Sequence, residues 1–259
     1  YETNEQVRGK LARPKFYISF PSRAEDNPTY YFDAETGAAV TNQFIYADGH
    51  WYYFGKDGKA LLFDQVINGQ HLYFDANGRQ VKGGFVMNTD GSRSFYHWNT
   101  GDKLVSTFFT TGHDRWYYAD DKGNVVTGAQ VINGQKLFFA TDGKQVKGAF
   151  ATNANGSRSY YHGATGNKLV STFFTTGDNN WYYADAKGEV AVGEQTINGQ
   201  NLYFDQTGKQ VKGATATNPD GSISYYDVHT GEKAINRWVK IPSGQWVYFN
   251  AQGKGYVSN

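Results

Sequence analysis

The chain has no cysteine, which excludes disulfides and cysteine-based zinc sites. Leucine is scarce, with eight in 259 residues, and proline appears five times. Charge of either sign is also missing in excess: the formal net charge is +1. Nothing therefore points to nucleic acid or to an anionic membrane. No apolar run approaches the roughly 20 residues of a membrane-spanning helix. No signal peptide, prenylation motif or sorting tail is visible. The chain starts at Tyr1 without a Met and reads as a piece of something longer. What is abundant is glycine, with 31 residues, and aromatics, with 20 Tyr, 18 Phe and 6 Trp. A leucine-poor, Tyr/Gly-rich chain suits short strands and tight turns better than helices.

Those glycines are periodic. From Gly58 through Gly78, Gly101, Gly123, Gly143, Gly166, Gly188, Gly208 and Gly231 to Gly253, the spacings cycle through 20, 23 and 22 residues, a period of 65. Trp51, Trp116, Trp181 and Trp246 keep the same period. With Gly37 this makes about eleven hairpin units, three to each 65-residue cycle. Each unit is read as an aromatic strand such as "HLYF", a turn ending in Gly, and a second short strand such as "RQVKG" or "KLVST". Within "HLYFD", Leu72 and Phe74 are expected on one face and Tyr73 on the other. One hairpin is marginal in water, whereas stacked hairpins bury a continuous aromatic face. The expected fold is an all-β solenoid of stacked hairpins over residues 27–259, with one turn per three hairpins. Residues 1–26 fall outside the repeat and read as a cap or linker, with "KFYISF" a possible strand and "PSRAEDNP" a loop.

Comparing the three cycles tests for catalysis. No carboxylate position survives all three: Asp75, Ala140 and Asp205 are equivalent, as are Asp64, Ala129 and Glu194. Glycoside chemistry needs two fixed carboxylates. His97 and His162 match, but the third position is Asp227. No metal-ligand spacing, phosphate loop or nucleophile elbow is present. The reading is a non-catalytic chain with no cofactor and no metal.

Several polar columns are kept as strictly as the glycines. They are Gln65/Gln130/Gln195, Gln70/Gln135/Gln200, Gln80/Gln145/Gln210, Lys82/Lys147/Lys212 and Lys103/Lys168/Lys233. One explanation is structural: amides satisfy backbone groups at hairpin ends and Lys protects exposed edges. Gln70, directly after an Asn-Gly turn, leans that way, and Gln80 stays open. The other explanation is that a ring, an amide and an ammonium converge on a sugar, the ring covering its C–H face and the amide pairing with hydroxyls. The outer rings of the "LYF" strands are Tyr73, Phe138 and Tyr203. Phe138 lacks the hydroxyl, so a weaker middle site is expected.

The combined pattern W-Y-Y, G-x-Q-x-I-N-G-Q, L-[YF]-F and G-[KR]-Q-V-K-G resembles the glucan-binding repeats of streptococcal-type glucansucrases over roughly residues 27–259. The resemblance implies a secreted, cell-surface-associated module that binds an α-glucan such as dextran or mutan. It implies pockets of a stacking aromatic, a Gln and a Lys. Carried onto this chain, the sets are Gln65, Tyr73 and Lys82; Gln130, Phe138 and Lys147; and Gln195, Tyr203 and Lys212. Tyr52, Tyr117 and Tyr182, from the preceding Trp-Tyr-Tyr clusters, are alternative rings. The first cycle departs from the pattern, with Phe63 and Asp64 where the others have Gly-Ala or Gly-Glu. A monomer is expected, with no nucleic-acid or membrane partner. A choline-binding cell-wall module and a ligand-free adhesin stalk are the competing readings. Choline wants an aromatic cage around a quaternary ammonium.

Overall fold

The computed structural model describes residues 16–18, 29–33, 35–177 and 179–257. Every regular element among them is a short β-strand, and each strand pairs in a two-stranded antiparallel sheet. The "PSRAEDNP" segment lies outside the described residues.

The chain divides into two compact units, residues 1–126 and 127–259. The first contains five pairs: β1 (Phe16–Ile18) with β2 (Tyr31–Asp33), β3 (Gln43–Ala47) with β4 (His50–Phe54), β5 (Phe63–Ile67) with β6 (Gln70–Phe74), β7 (Gly84–Met87) with β8 (Arg93–Tyr96), and β9 (Thr107–Thr110) with β10 (Trp116–Ala119). The second contains six: β11 (Gly128–Ile132) with β12 (Gln135–Phe139), β13 (Ala149–Thr152) with β14 (Arg158–Tyr161), β15 (Thr172–Thr175) with β16 (Trp181–Ala184), β17 (Gly193–Ile197) with β18 (Gln200–Phe204), β19 (Ala214–Thr217) with β20 (Ile223–Tyr226), and β21 (Arg237–Lys240) with β22 (Trp246–Phe249). The expected all-β architecture of eleven hairpin-sized pairs is therefore present. Strand β1 falls within residues 1–26 and pairs across that boundary with β2.

The pairing within each unit differs from the sequence expectation by one turn. The aromatic strand is the second strand of its hairpin: Gln70–Phe74 pairs with Phe63–Ile67 through Asn68-Gly69. Both turn residues have positive φ, 51° and 81°. That is the two-residue geometry whose twist matches the flanking strands. The turn at Gly78 instead leads to a single bridge, Phe74 to Gln80, so "RQVKG" is an extended connector rather than a strand. Asp75 closes that turn by accepting from the Asn77 and Arg79 amides.

These connectors chain the hairpins within each unit. The Gln80 amide donates to Trp51 O at 2.7 Å and the Lys103 amide to His71 O at 2.8 Å. In the second unit, Gln210 donates to Trp181 O at 2.7 Å and Lys233 to Asn201 O at 2.9 Å. Strand alternation turns Leu72 and Phe74 fully inward and leaves Tyr73 half-buried, as expected. Rings then stack between hairpins. Phe95, Phe109 and Tyr117 form one column at 4.6 and 5.2 Å; Tyr160, Phe174 and Tyr182 repeat it at 4.6 and 5.3 Å. Each fully buried ring of this kind contributes about 1.5–3 kcal/mol of burial.

The middle hairpin of each cycle carries a buried polar lock. Asn88 Nδ2 donates to Ser92 Oγ and Ser94 Oγ at 2.8 and 3.0 Å. Asn153 and Asn218 make the same pair of bonds to their serines. Ser94, Ser159 and Ser224 are fully buried, so these bonds satisfy hydroxyls that water cannot reach.

Candidate functional site

The kept tryptophans occupy the solvent side of the strands whose tyrosines fill the core. In β16 the alternation turns Tyr182 and Ala184 inward, and Trp181 outward with 42% exposure. Tyr183, also on the outer side, packs on Phe173 at 4.8 Å, and both rings lie against Leu202 and Phe204 of the next hairpin. This leaves an open pocket of about 230 Å³ lined by Phe173, Trp181, Gln200, Leu202, Gln210, Lys212 and Thr230. Its floor is apolar, one wall is the Trp181 ring, and its rim carries two amides, a hydroxyl and one ammonium.

Backbone geometry fixes these polar groups. Gln200 opens β18 directly after the Asn198-Gly199 turn. The Gln210 amide bond to Trp181 O anchors that residue beside the ring. Its side chain lies flat over Gly231, where a Cβ would meet Nε2 at 2.4 Å. Gly231 has φ +73°, so both its conformation and the lack of a Cβ make room for the glutamine. Lys212 Nζ donates to His229 O at 3.4 Å.

The first unit repeats the arrangement around Trp51, which is 39% exposed. Gln80 Nε2 donates to Thr100 O at 3.3 Å, and Lys82 Nζ to Asn99 O at 3.0 Å. That ammonium stands 5.5 Å from the centre of the Trp51 ring. A second ring, Tyr46, lies 5.2 Å from Trp51 and is 59% exposed. Trp116 holds the corresponding position in the first unit's last hairpin. In the second unit, Gln135, Gln145, Lys147 and Thr165 are the sequence equivalents of Gln200, Gln210, Lys212 and Thr230.

The sequence-predicted sets are only partly assembled. Lys82 and Lys212 stand beside a tryptophan as described, and Lys147 is their sequence equivalent in the middle cycle. Gln65, Gln130 and Gln195 do not reach a pocket: each Nε2 folds back onto a carbonyl three residues earlier, Leu62, Thr127 and Val192, at 2.7–2.9 Å. Tyr73, Phe138 and Tyr203 are half-buried against Tyr96, Tyr161 and Tyr226 of the following hairpin, at 5.4–5.8 Å. The hydroxyl missing from Phe138 therefore has no bearing on the tryptophan pockets. Tyr52, Tyr117 and Tyr182 are 0%, 5% and 5% exposed, so no ring face is open to a ligand. The pocket lining that the sequence did not single out is Trp181, Gln200 and Thr230, whose equivalents are Trp51, Gln70 and Thr100 in the first unit. All three recur at 65 residues, and the tryptophan period was visible.

The pocket holds no acid–base pair. Among the described residues no cluster of three or more His, Asp or Glu could hold a metal ion. Successive hairpins that each lend one wall to a shallow ring-amide-ammonium pocket define a repeat-built binding module.

Comparison with known proteins agrees with that class. The choline-binding repeat profile matches residues 65–108, 126–173 and 191–238, and a putative cell wall binding repeat matches 42–60, 171–190 and 236–254. The chain belongs to the choline-binding repeat family. Glucosyltransferase-S of Streptococcus mutans serotype c is 40% identical over 88% of this chain, and Glucosyltransferase-I of Streptococcus downei 38% over 84%. Glucosyltransferase-I of S. mutans is 45% identical over 76%. The matched regions are only 16%, 17% and 14% of those relatives' lengths, so the chain corresponds to a repeat region of far longer proteins. Among solved structures, CbpJ of Streptococcus pneumoniae aligns at TM-score 0.62 over 96% of this chain and 95% of its own, at 18% identity. CbpF in complex with ipratropium aligns at 0.61 over 95% and 100%, at 19% identity. At such identities these two likenesses concern the fold. The chain is a repeat module, and extracellular or cell-surface association is the location these matches support.

Proposed function

We propose that the chain is a multivalent α-glucan-binding module that holds a secreted glucosyltransferase on its polymer. The observation that carries this reading is the ammonium beside each described tryptophan pocket: Lys82 over Trp51 and Lys212 with Trp181. A choline head would need that same ring face, and a lysine there repels a quaternary cation. Glucose instead presents a C–H face to the ring and hydroxyls to Gln200, Gln210, Thr230 and Lys212. The glucosyltransferase relatives support the same ligand class. Repetition at 65 residues suits a polymer that offers one unit many times. Two linked sites gain on the order of 10²–10⁴ over one when both engage.

Affinity electrophoresis in gels containing dextran, mutan or immobilised choline tests the reading. Retardation by an α-glucan and none by choline is expected. Choline retardation alone would favour the reading that the family's name suggests, and free migration in all three gels would favour a structural stalk.

A further inference from the structure

The three cycles differ at one internal position with a consequence for charge. In the third cycle, Glu194 of β17 reaches the following hairpin and pairs with Lys233 Nζ at 2.7 Å. Lys233 is almost covered, its side chain 10% exposed, and its backbone bridges that of the buried Tyr226. In the first cycle the equivalent Asp64 accepts from the buried Tyr96 hydroxyl at 3.0 Å. A carboxylate supplied from inside the chain thus meets the Tyr of the next hairpin in the first cycle and its Lys in the third.

The middle cycle lacks it. The equivalent residue in β11 is Ala129, yet Tyr161 and Lys168 are retained and bridge each other in the same way. The Lys168 stem is held as in the other cycles. A Cβ on Gly188 would meet Lys168 Cε at 2.6 Å, as one on Gly253 would meet Lys233 Cε at 2.6 Å. The Lys168 amide donates to Lys136 O at 2.8 Å, as the Lys233 amide does to Asn201 O at 2.9 Å. Among the described residues neither the Lys168 ammonium nor the Tyr161 hydroxyl has a protein partner; the Tyr161 ring is buried, while its hydroxyl is not among the fully buried unpaired atoms.

The surrounding groove changes in the same sense. In the third cycle an open pocket of about 360 Å³ is lined by Asp227, Thr230, Glu232, Lys233, Ile235 and Arg237. At those positions the middle cycle has His162, Thr165, Asn167, Lys168, Val170 and Thr172. Both carboxylates are gone, together with Arg237, the partner of Asp227, and the lysine stays. A partly covered ammonium in an open groove, with no counter-charge from the chain, leaves room for an outside anion beside it.

We propose that Ala129, Tyr161 and Lys168 frame a binding site for an external carboxylate, which occupies the place that Asp64 and Glu194 fill from within the chain. In the third cycle the equivalent groove adjoins the Trp181 pocket through Thr230 but uses a different lysine, and the proposal does not depend on the glucan reading. Its test is a titration of the ¹⁵N-labelled full chain with sodium acetate, against sodium chloride at matched ionic strength. Saturable shifts are expected at Ala129 and Lys168, without counterparts at Asp64 and Lys103 or at Glu194 and Lys233. Ala129→Glu, which brings its own carboxylate, weakens acetate binding at least tenfold on this account. Lys168→Met does the same with Ala129 intact and carries the test should the first variant fail to fold. Shifts equal to those in chloride, shifts alike in all three cycles, or acetate binding that survives Lys168→Met would overturn the proposal.

Discussion

Replacing Trp181 by Ala isolates the ring's share of glucan binding. A tryptophan offers about 250 Å² of surface. At 42% exposure Trp181 presents roughly 100 Å² of this to solvent. A glucose ring lying on one face covers about half of that, or about 50 Å². At about 25 cal/mol per Å² the covered area is worth about 1.2 kcal/mol, roughly an eightfold rise in Kd. The fold survives the change, because the bond that fixes Gln210 uses the Trp181 backbone carbonyl and the core side of β16 belongs to Tyr182 and Ala184. The assay is an NMR titration of the full chain with isomaltotriose, a ligand too short to bridge repeats, read at the Gln210 side-chain amide. Thermal unfolding controls for stability. An unchanged Kd at that amide in the variant, or an equal loss on replacing Tyr203 by Ala, would refute the reasoning, since Tyr203 packs on Tyr226 away from the pocket lining.

Gln195→Ala removes the bond to Val192 O and is expected to cost about 0.5–1.5 kcal/mol of stability while glucan affinity stays unchanged, as chemical denaturation and titration together would read. Asn218→Ala leaves the buried Ser224 hydroxyl without its Asn218 partner, and a loss of about 1–3 kcal/mol is expected in urea unfolding. Gly231→Ala puts a Cβ onto the Gln210 amide and strains a positive φ, so isomaltotriose binding at Trp181 is expected to fall several-fold. In alkali, burial and then the charge of Asp48 push the Tyr31 hydroxyl up from 10.0 to about 12. Its neutral form is favoured by folding, so this contribution to stability is fully present below pH 10 and fades as pH rises through about 12. Burial pushes Tyr96, Tyr161 and Tyr226 upward as well. Tyrosinate absorbance is expected to show a late-titrating class that appears together with loss of structure.

Much of the fold was legible because strand alternation has one meaning here. Leu72 and Phe74 sit inward and Tyr73 does not, as a period of two requires. The pairing partner of each aromatic strand was misassigned because two turns flank it, and both contain Gly. The Asn68-Gly69 turn carries positive φ at both residues and closes a true hairpin, whereas the Gly78 turn closes a single bridge. The site was less legible, because retention across cycles does not separate burial from binding. Trp51 and Tyr52 are neighbours that both recur at 65 residues but lie on opposite faces, 39% and 0% exposed. Gln65 and Gln80 are equally periodic amides. One is spent on a carbonyl three residues earlier; the other is laid over the Gly101 turn beside the lysine and tryptophan. Only the register of the hairpins distinguishes them.

The account rests on the tryptophan pocket as a sugar site, and crystals of the chain soaked separately with isomaltotriose and with choline test it most directly. The predicted result is a glucose ring on the face of Trp181 within hydrogen-bonding reach of Gln200, Gln210 and Lys212, and no choline there. Choline on Trp181, or sugar bound only away from the tryptophans, would contradict it.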